Sequence, residues 1–103
     1  MATVYVTVPR ADAPSIARRL VDERLAACVN ALPCRSTYRW EGEVVEDEES
    51  ILLAKTTDDR VHALVDRIEA IHPYDVPCIE RFDEDEILPA FGEWIEAETA
   101  DEG

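Results

Sequence analysis

The stretch from Ala27 to Lys55 constrains this chain most. Ala27 to Trp40 is rich in β-branched and aromatic residues, Glu41 and Gly42 supply a tight turn, and Glu43 to Lys55 returns as a second extended run. Pro33 predicts an interruption of the first strand, and the apolar run Ile51 to Ala54 predicts burial on both faces or at the sheet centre. Such a hairpin is longer than a domain of 103 residues needs. Its tip, with Tyr38 and Trp40, must stand in solvent or pack on something else.

The rest of the chain supplies what such a hairpin pairs with. Thr3 to Val8 alternates, Val4, Val6 and Val8 on one face and Thr3, Tyr5 and Thr7 on the other, which is a half-buried strand. Asp12 is placed to cap a first helix, roughly Ala13 to Leu25, with Pro14 in its first turn and Ile16, Ala17, Leu20, Val21 and Leu25 as its apolar stripe. Thr57 caps a second helix striped by Val61, Leu64, Val65, Ile68 and Ile71, and Pro73 stops it. Val76 to Phe82, opened by Pro77, reads as a fourth strand. Ile87 to Ala97 reads as a tail helix with Leu88, Phe91, Trp94 and Ile95 inward. The order β-α-β-β-α-β, with both helices on one face of an antiparallel sheet, is the ferredoxin-like α+β pattern. Residues 1–97 make one domain and 98–103 an acidic C-terminal tail.

Charge narrows the partners. There are 24 acidic residues against 10 basic ones, a net charge of -14, and Lys55 is the only lysine. That balance repels phosphate backbones and argues against nucleic acid. Two readings of the acidity compete: an ordinary solvated surface, and adaptation to a salt-rich cytoplasm such as that of a halophilic archaeon. No run approaches the ~20 apolar residues of a membrane span, and Thr3 to Pro9 is too short for a signal-peptide core, so a cytoplasmic location is expected. The three cysteines form no CxxC. Cys28 and Cys34 fall about 20 Å apart on a regular strand, too far for a disulfide or a shared zinc, so separate reduced thiols are expected.

Three blocks are more specific than these patterns. Leu20-Val21-Asp22-Glu23-Arg24-Leu25-Ala26-Ala27-Cys28-Val29-Asn30 closes the first helix and opens the second strand. Tyr38-x-Trp40-Glu41-Gly42 turns the hairpin, followed by Glu49 and Leu52-Leu53-Ala54-Lys55-Thr56. His72-Pro73-Tyr74-Asp75-x-Pro77 ends the second helix. In order and spacing these resemble the CutA divalent-cation tolerance family, from about residue 3 to residue 97. The resemblance implies a homotrimer, much like PII signalling proteins, with hairpins bracing the neighbouring subunits and a link to copper and other divalent cations. The chain departs from the family's common pattern at Cys34, Cys78, Ile71 and Thr7; the last two weaken any copper site carried over by analogy.

The candidate residues divide into two sets. His72, Asp75 and Cys78 are three metal donors within seven residues, and an imidazole with a thiolate favours copper over magnesium or calcium. Capping of a helix end is the competing role for His72. Lys55, Trp40, Tyr74, Tyr38 and Glu49 form the second set, ion-pair and stacking groups for a small ligand in an inter-subunit pocket. Core or interface packing competes for the aromatics, and plain surface for Glu49 and Asp75. Cys28 reads as a small buried hydrophobe or a soft ligand, and His62 as solvent-facing. The leading functional expectation is a metal-response homotrimer, and the alternative is a PII-like sensor. An enzyme is not expected: Pro9-Arg10-Ala11-Asp12, after the first strand, lacks the glycines of a phosphate-cradling loop, and no serine or cysteine has an evident base. RNA binding is not expected either, because Ile51 to Thr57 carries no stacking aromatics.

Overall fold

The computed structural model describes residues 1–100. Strands β1 (Ala2–Pro9), β2 (Cys28–Trp40), β3 (Glu43–Thr56) and β4 (Ile79–Asp83) form one sheet in the order β2-β3-β1-β4, with every neighbouring pair antiparallel. Helices α1 (Ala13–Asp22) and α2 (Val61–Ile71) make the two crossovers, and α3 (Pro89–Thr99) follows β4. This is the ferredoxin-like order expected from the periodicity.

The alternation in β1 and β3 decides which face the helices cover. Val4, Val6, Val8, Leu52 and Ala54 are fully buried against Ala13, Ile16 and Leu20 of α1 and Val61, Leu64 and Ile68 of α2. The odd-numbered positions, Thr3, Tyr5 and Thr7 of β1 and Ile51, Leu53 and Lys55 of β3, point to the open face. Ile51 and Leu53 are only half-buried there, so of the two alternatives for the apolar run it is the central position in the sheet, between β2 and β1, that holds, with full burial on one face.

Several boundaries differ from expectation for local reasons. Asp12 makes no capping bond, because Arg10–Asp12 is already a 3-10 turn leading into α1. Thr57 likewise caps nothing with its side chain; the turn Asp58–Arg60 precedes α2, with the Arg60 N–H donating to the Thr57 carbonyl at 3.1 Å. Helix α1 ends at Asp22 rather than Leu25. Arg24 takes a φ of 59°, its N–H donates to the Val21 carbonyl and that of Leu25 to the Leu20 carbonyl, a Schellman closure with arginine where glycine is usual. Strand β2 runs unbroken through Pro33, which pairs with Ser50. Because β2 is an edge strand, the missing N–H costs the ladder nothing. Strand β4 starts at Ile79, where its pairing with Val6 begins, not at Val76.

Helix α3 shows the largest departure. Gly92, Ile95 and Thr99 are its buried residues, while Leu88, Phe91 and Trp94 are exposed and the last two stack with ring centroids 5.8 Å apart. The inward face is set by the spacing 92, 95, 99, and an aromatic on the adjacent stripe looks the same to a periodicity count. The helix also takes in Glu98 and Thr99 of the expected tail; residues 101–103 lie outside the described residues. Among the described residues no helix is long and apolar enough to cross a membrane.

The long hairpin sets the shape. A two-residue turn, Glu41 at φ 50° and Gly42 at φ 81°, joins Trp40 to its partner Glu43. β1 pairs with β3 only as far as Glu49, so beyond that point the hairpin is a two-stranded ribbon. The chain measures 45 × 29 × 20 Å, and its radius of gyration is 14.3 Å, against about 13 Å for a compact chain of this length.

Candidate functional site

Where the ribbon leaves the sheet, the open face forms a concavity of about 630 Å³. Period-two alternation on β2 turns Ser36, Tyr38 and Trp40 into it from one side. Glu49 enters from β3 and Thr7 from β1. The connection between α2 and β4 closes the far side with Pro73, Tyr74, Asp75, Val76 and Cys78. Four separate parts of the chain, three strands and one connection, thus converge on it.

The 73–78 connection is held by His72, which is 8% exposed. Its Nε2 lies 2.8 Å from the Thr7 carbonyl, and its Nδ1 accepts from the Tyr74 N–H at 3.1 Å. A carbonyl only accepts, so Nε2 carries the proton and Nδ1 does not. Both nitrogens are occupied, and the ring packs tilted on Tyr74 with centroids 4.9 Å apart. Tyr74 in turn donates its hydroxyl to Oε2 of Glu49 at 3.0 Å. Glu49 is 3% exposed, and Tyr74 is the only hydrogen-bond donor to its carboxylate among the described residues. Arg10 steadies the same stretch without meeting that carboxylate. Its guanidinium donates to the carbonyls of Cys34 (2.8 Å) and Glu49 (3.4 Å) and lies 3.6 Å from Glu48.

The tyrosines are kept neutral. Burial, then the hydrogen bond to Glu49, pushes the Tyr74 phenol well above its ordinary range. Tyr38 donates to Asp47, and chiefly through that bond its phenol is pushed up to about 12. Burial raises the Cys78 thiol, and its hydrogen bond to Glu80 at 3.6 Å raises it further, so the thiol form is favoured over the thiolate.

Measured against the sequence, the structure gathers Tyr38, Trp40, Glu49, Tyr74, Asp75 and Cys78 in one concavity. It sets Lys55 apart, six residues along β3 from Glu49. There Lys55 donates to the Thr3 hydroxyl at 2.8 Å and lies 3.9 Å from Glu84, to which Thr3 also donates. Within one chain, therefore, Lys55 is not grouped with Trp40 and Tyr74: the length of β3 separates them. The three expected metal donors do not converge either. His72 faces the backbone, and among the described residues no group of three or more His, Cys, Asp or Glu side chains is placed to hold a metal ion. Cys28 is half-buried with its thiol raised by burial, and the described cysteines are all free. Sequence reading missed Ser36, which alternation from Tyr38 and Trp40 would have found. It also missed Arg10 as the staple of the hairpin base, for which no sequence signal exists.

A ferredoxin-like sheet, open on one face and drawn out into a ribbon, places this chain among PII-like α+β proteins. The profile described as CutA1 divalent ion tolerance protein matches residues 2–98. The divalent-cation tolerance protein CutA of Thermus thermophilus is 55% identical over 78 residues, 74% of this chain and 76% of that protein. Its counterpart from Pyrococcus horikoshii is 40% identical over 100 residues, 96% of this chain and 98% of that one. The crystal structure of CutA1 from Pyrococcus horikoshii superposes with a TM-score of 0.93 at 38% identity, covering 98% of this chain and 100% of that one. The PII-like protein CutA from Nostoc superposes with a TM-score of 0.94 at 32% identity, covering 97% and 98%. The chain belongs to the CutA1 divalent ion tolerance family.

Proposed function

We propose that this protein is a homotrimeric, PII-like sensor that binds a small organic ligand in the concavity at the hairpin base. The observation that carries the reading is the convergence of Tyr38, Trp40 and Tyr74 on a nearly fully buried carboxylate, Glu49, from separate elements. A volume of about 630 Å³ lies within the usual range for small-molecule sites. Trimer formation is supported by the two-stranded ribbon, which stands clear of the sheet and carries an exposed Val44 that another copy would cover. Light scattering at micromolar concentration should give about three times the 11.6 kDa chain mass. A thermal-shift screen of metabolites should find compounds that raise the melting temperature of the wild type and not of Trp40→Ala. A screen in which no compound distinguishes the two proteins overturns the reading.

A divalent-cation role is the second reading. It is supported by the family's description and by the presence of Cys78, Asp75 and Glu49 in the same concavity. Copper is the metal expected of a site containing a thiolate. Binding would have to deprotonate Cys78 and recruit a donor from another copy, and His72 would join only by giving up a backbone hydrogen bond. Calorimetric titration of copper into the wild type, Cys78→Ser and His72→Ala tests it: equal affinity and stoichiometry in all three would remove these residues from any metal site.

A further inference from the structure

Resting on the ligand-binding reading above, we infer that the concavity selects an organic ammonium ion. The inference follows from which charges and hydrogen-bonding groups line it. Glu49 brings a carboxylate that is 3% exposed, takes one hydrogen bond from Tyr74, and has no ion-pair partner among the described residues. Asp75 brings a second carboxylate, and among the described residues no lysine, arginine or histidine lines the cavity. A buried carboxylate without a cation is costly, and a bound cation offsets that cost.

The remaining walls suit a diffuse positive charge. Tyr38, Trp40 and Tyr74 offer aromatic faces, which attract cations through their quadrupoles, most strongly where the cation is desolvated. The two tyrosine hydroxyls already donate to Asp47 and Glu49, so towards a ligand they offer only acceptor lone pairs. The Cys78 thiol is likewise directed to Glu80. An anionic ligand would therefore meet two carboxylates and few donors. Arg10 does not change this balance, since it is held by backbone carbonyls and by Glu48.

Small inorganic cations fit less well. Magnesium and calcium hold their water tightly and require several oxygen ligands, whereas a weakly hydrated ammonium head gains from aromatic walls and one buried carboxylate. The chain's net charge of -14 also raises the local concentration of any cation near the mouth.

The test is calorimetric titration of the full chain with three probes: choline, its uncharged isostere 3,3-dimethylbutanol, and adenosine triphosphate. Choline should bind at least about tenfold more tightly than the alcohol, the factor that one desolvated cation–π contact with a charge pair supplies. Glu49→Gln keeps the acceptor for Tyr74 and should remove most of that preference while leaving the alcohol unchanged. Trp40→Leu, compared only if light scattering shows the same oligomer as the wild type, should weaken choline as well. Equal binding of choline and the alcohol, or tighter binding of the triphosphate, overturns the inference and leaves the ligand-binding reading intact. If none of the three probes binds and the metabolite screen is also empty, both readings fall.

Discussion

Where β3 pairs with β1, from Glu49 to Thr56, its open face carries a polar cluster near each end, and the two are balanced differently. At the Lys55 end a carboxylate, Glu84, takes a hydrogen bond from Thr3 and lies 3.9 Å from an ammonium, with both charged side chains about three-quarters buried. At the Glu49 end the carboxylate takes a hydrogen bond from Tyr74 and, among the described residues, meets no ammonium or guanidinium. One cluster is an ion pair supplied by the chain itself through Glu84 Oε1, while Oε2 of the same carboxylate stays buried without a hydrogen bond. The other leaves a charge for something outside the chain to meet. Two carboxylates on one sheet face therefore serve different purposes, and the difference comes from what the neighbouring strand or turn brings to each.

The largest expected effect concerns what both ends share. Leu52 lies between them on the helix-covered side and is fully buried. Leu52→Ala should cost about 2–5 kcal/mol in urea unfolding, and a much smaller loss would mean that the core beneath the clusters is not tightly packed. Lys55→Met comes next. It leaves Glu84 without its cation and should cost about 1–3 kcal/mol, against less than about 1 kcal/mol for Glu49→Gln, which still accepts from Tyr74. Equal costs would break the comparison, because Lys55 would then be no more structural than Glu49.

The tyrosines sharpen it spectroscopically. Burial raises Tyr5, the bond to Asp47 raises Tyr38 to about 12, and burial with the bond to Glu49 raises Tyr74. A phenol raised on folding contributes stability that is fully present below its unfolded pKa of about 10 and lost as pH climbs through the folded value. Alkaline titration of tyrosinate absorbance should therefore lag that of the unfolded chain, and Glu49→Gln should bring the Tyr74 portion forward. A folded-state midpoint at the unfolded value would remove both hydrogen bonds from the description. The smallest and most gradual effect is that of salt. The Debye length falls from about 30 Å at 0.01 M to about 3 Å at 1 M, so added KCl should raise the melting temperature by screening the acidic surface. A flat or falling curve would mean that the acidity is incidental to stability.

Much of the fold was legible because alternation and helical spacing report burial directly. Val4, Val6 and Val8 declared one face of β1, and Leu64 and Ile68 the stripe of α2. Tyr38, Trp40, Glu49 and Tyr74 were named as one ligand group from motif blocks, and the structure brings them together. What failed did so where spacing carries no distance. Lys55 belongs to the same sequence block as Leu52 and Leu53, yet six residues of extended chain carry it away from Glu49. His72 stands three residues from Asp75 and six from Cys78, but backbone groups of Thr7 and Tyr74 take both its nitrogens, and a linear sequence cannot show that. Phe91 and Trp94 read as inward because they are large and apolar, whereas it is Gly92 that faces inward, towards Met1 and Ile87.

Pro33 has a consequence for how copies of this chain meet. Strand β2 is one margin of the sheet and runs for 13 residues, a length that would ordinarily invite a foreign strand to add on and continue the ladder. A proline midway deletes one outward donor and so interrupts the template on that margin. The opposite margin, β4, is only 5 residues long and carries Glu80, Arg81 and Asp83. Sheet extension, the route to fibrils, is thus hindered on both sides.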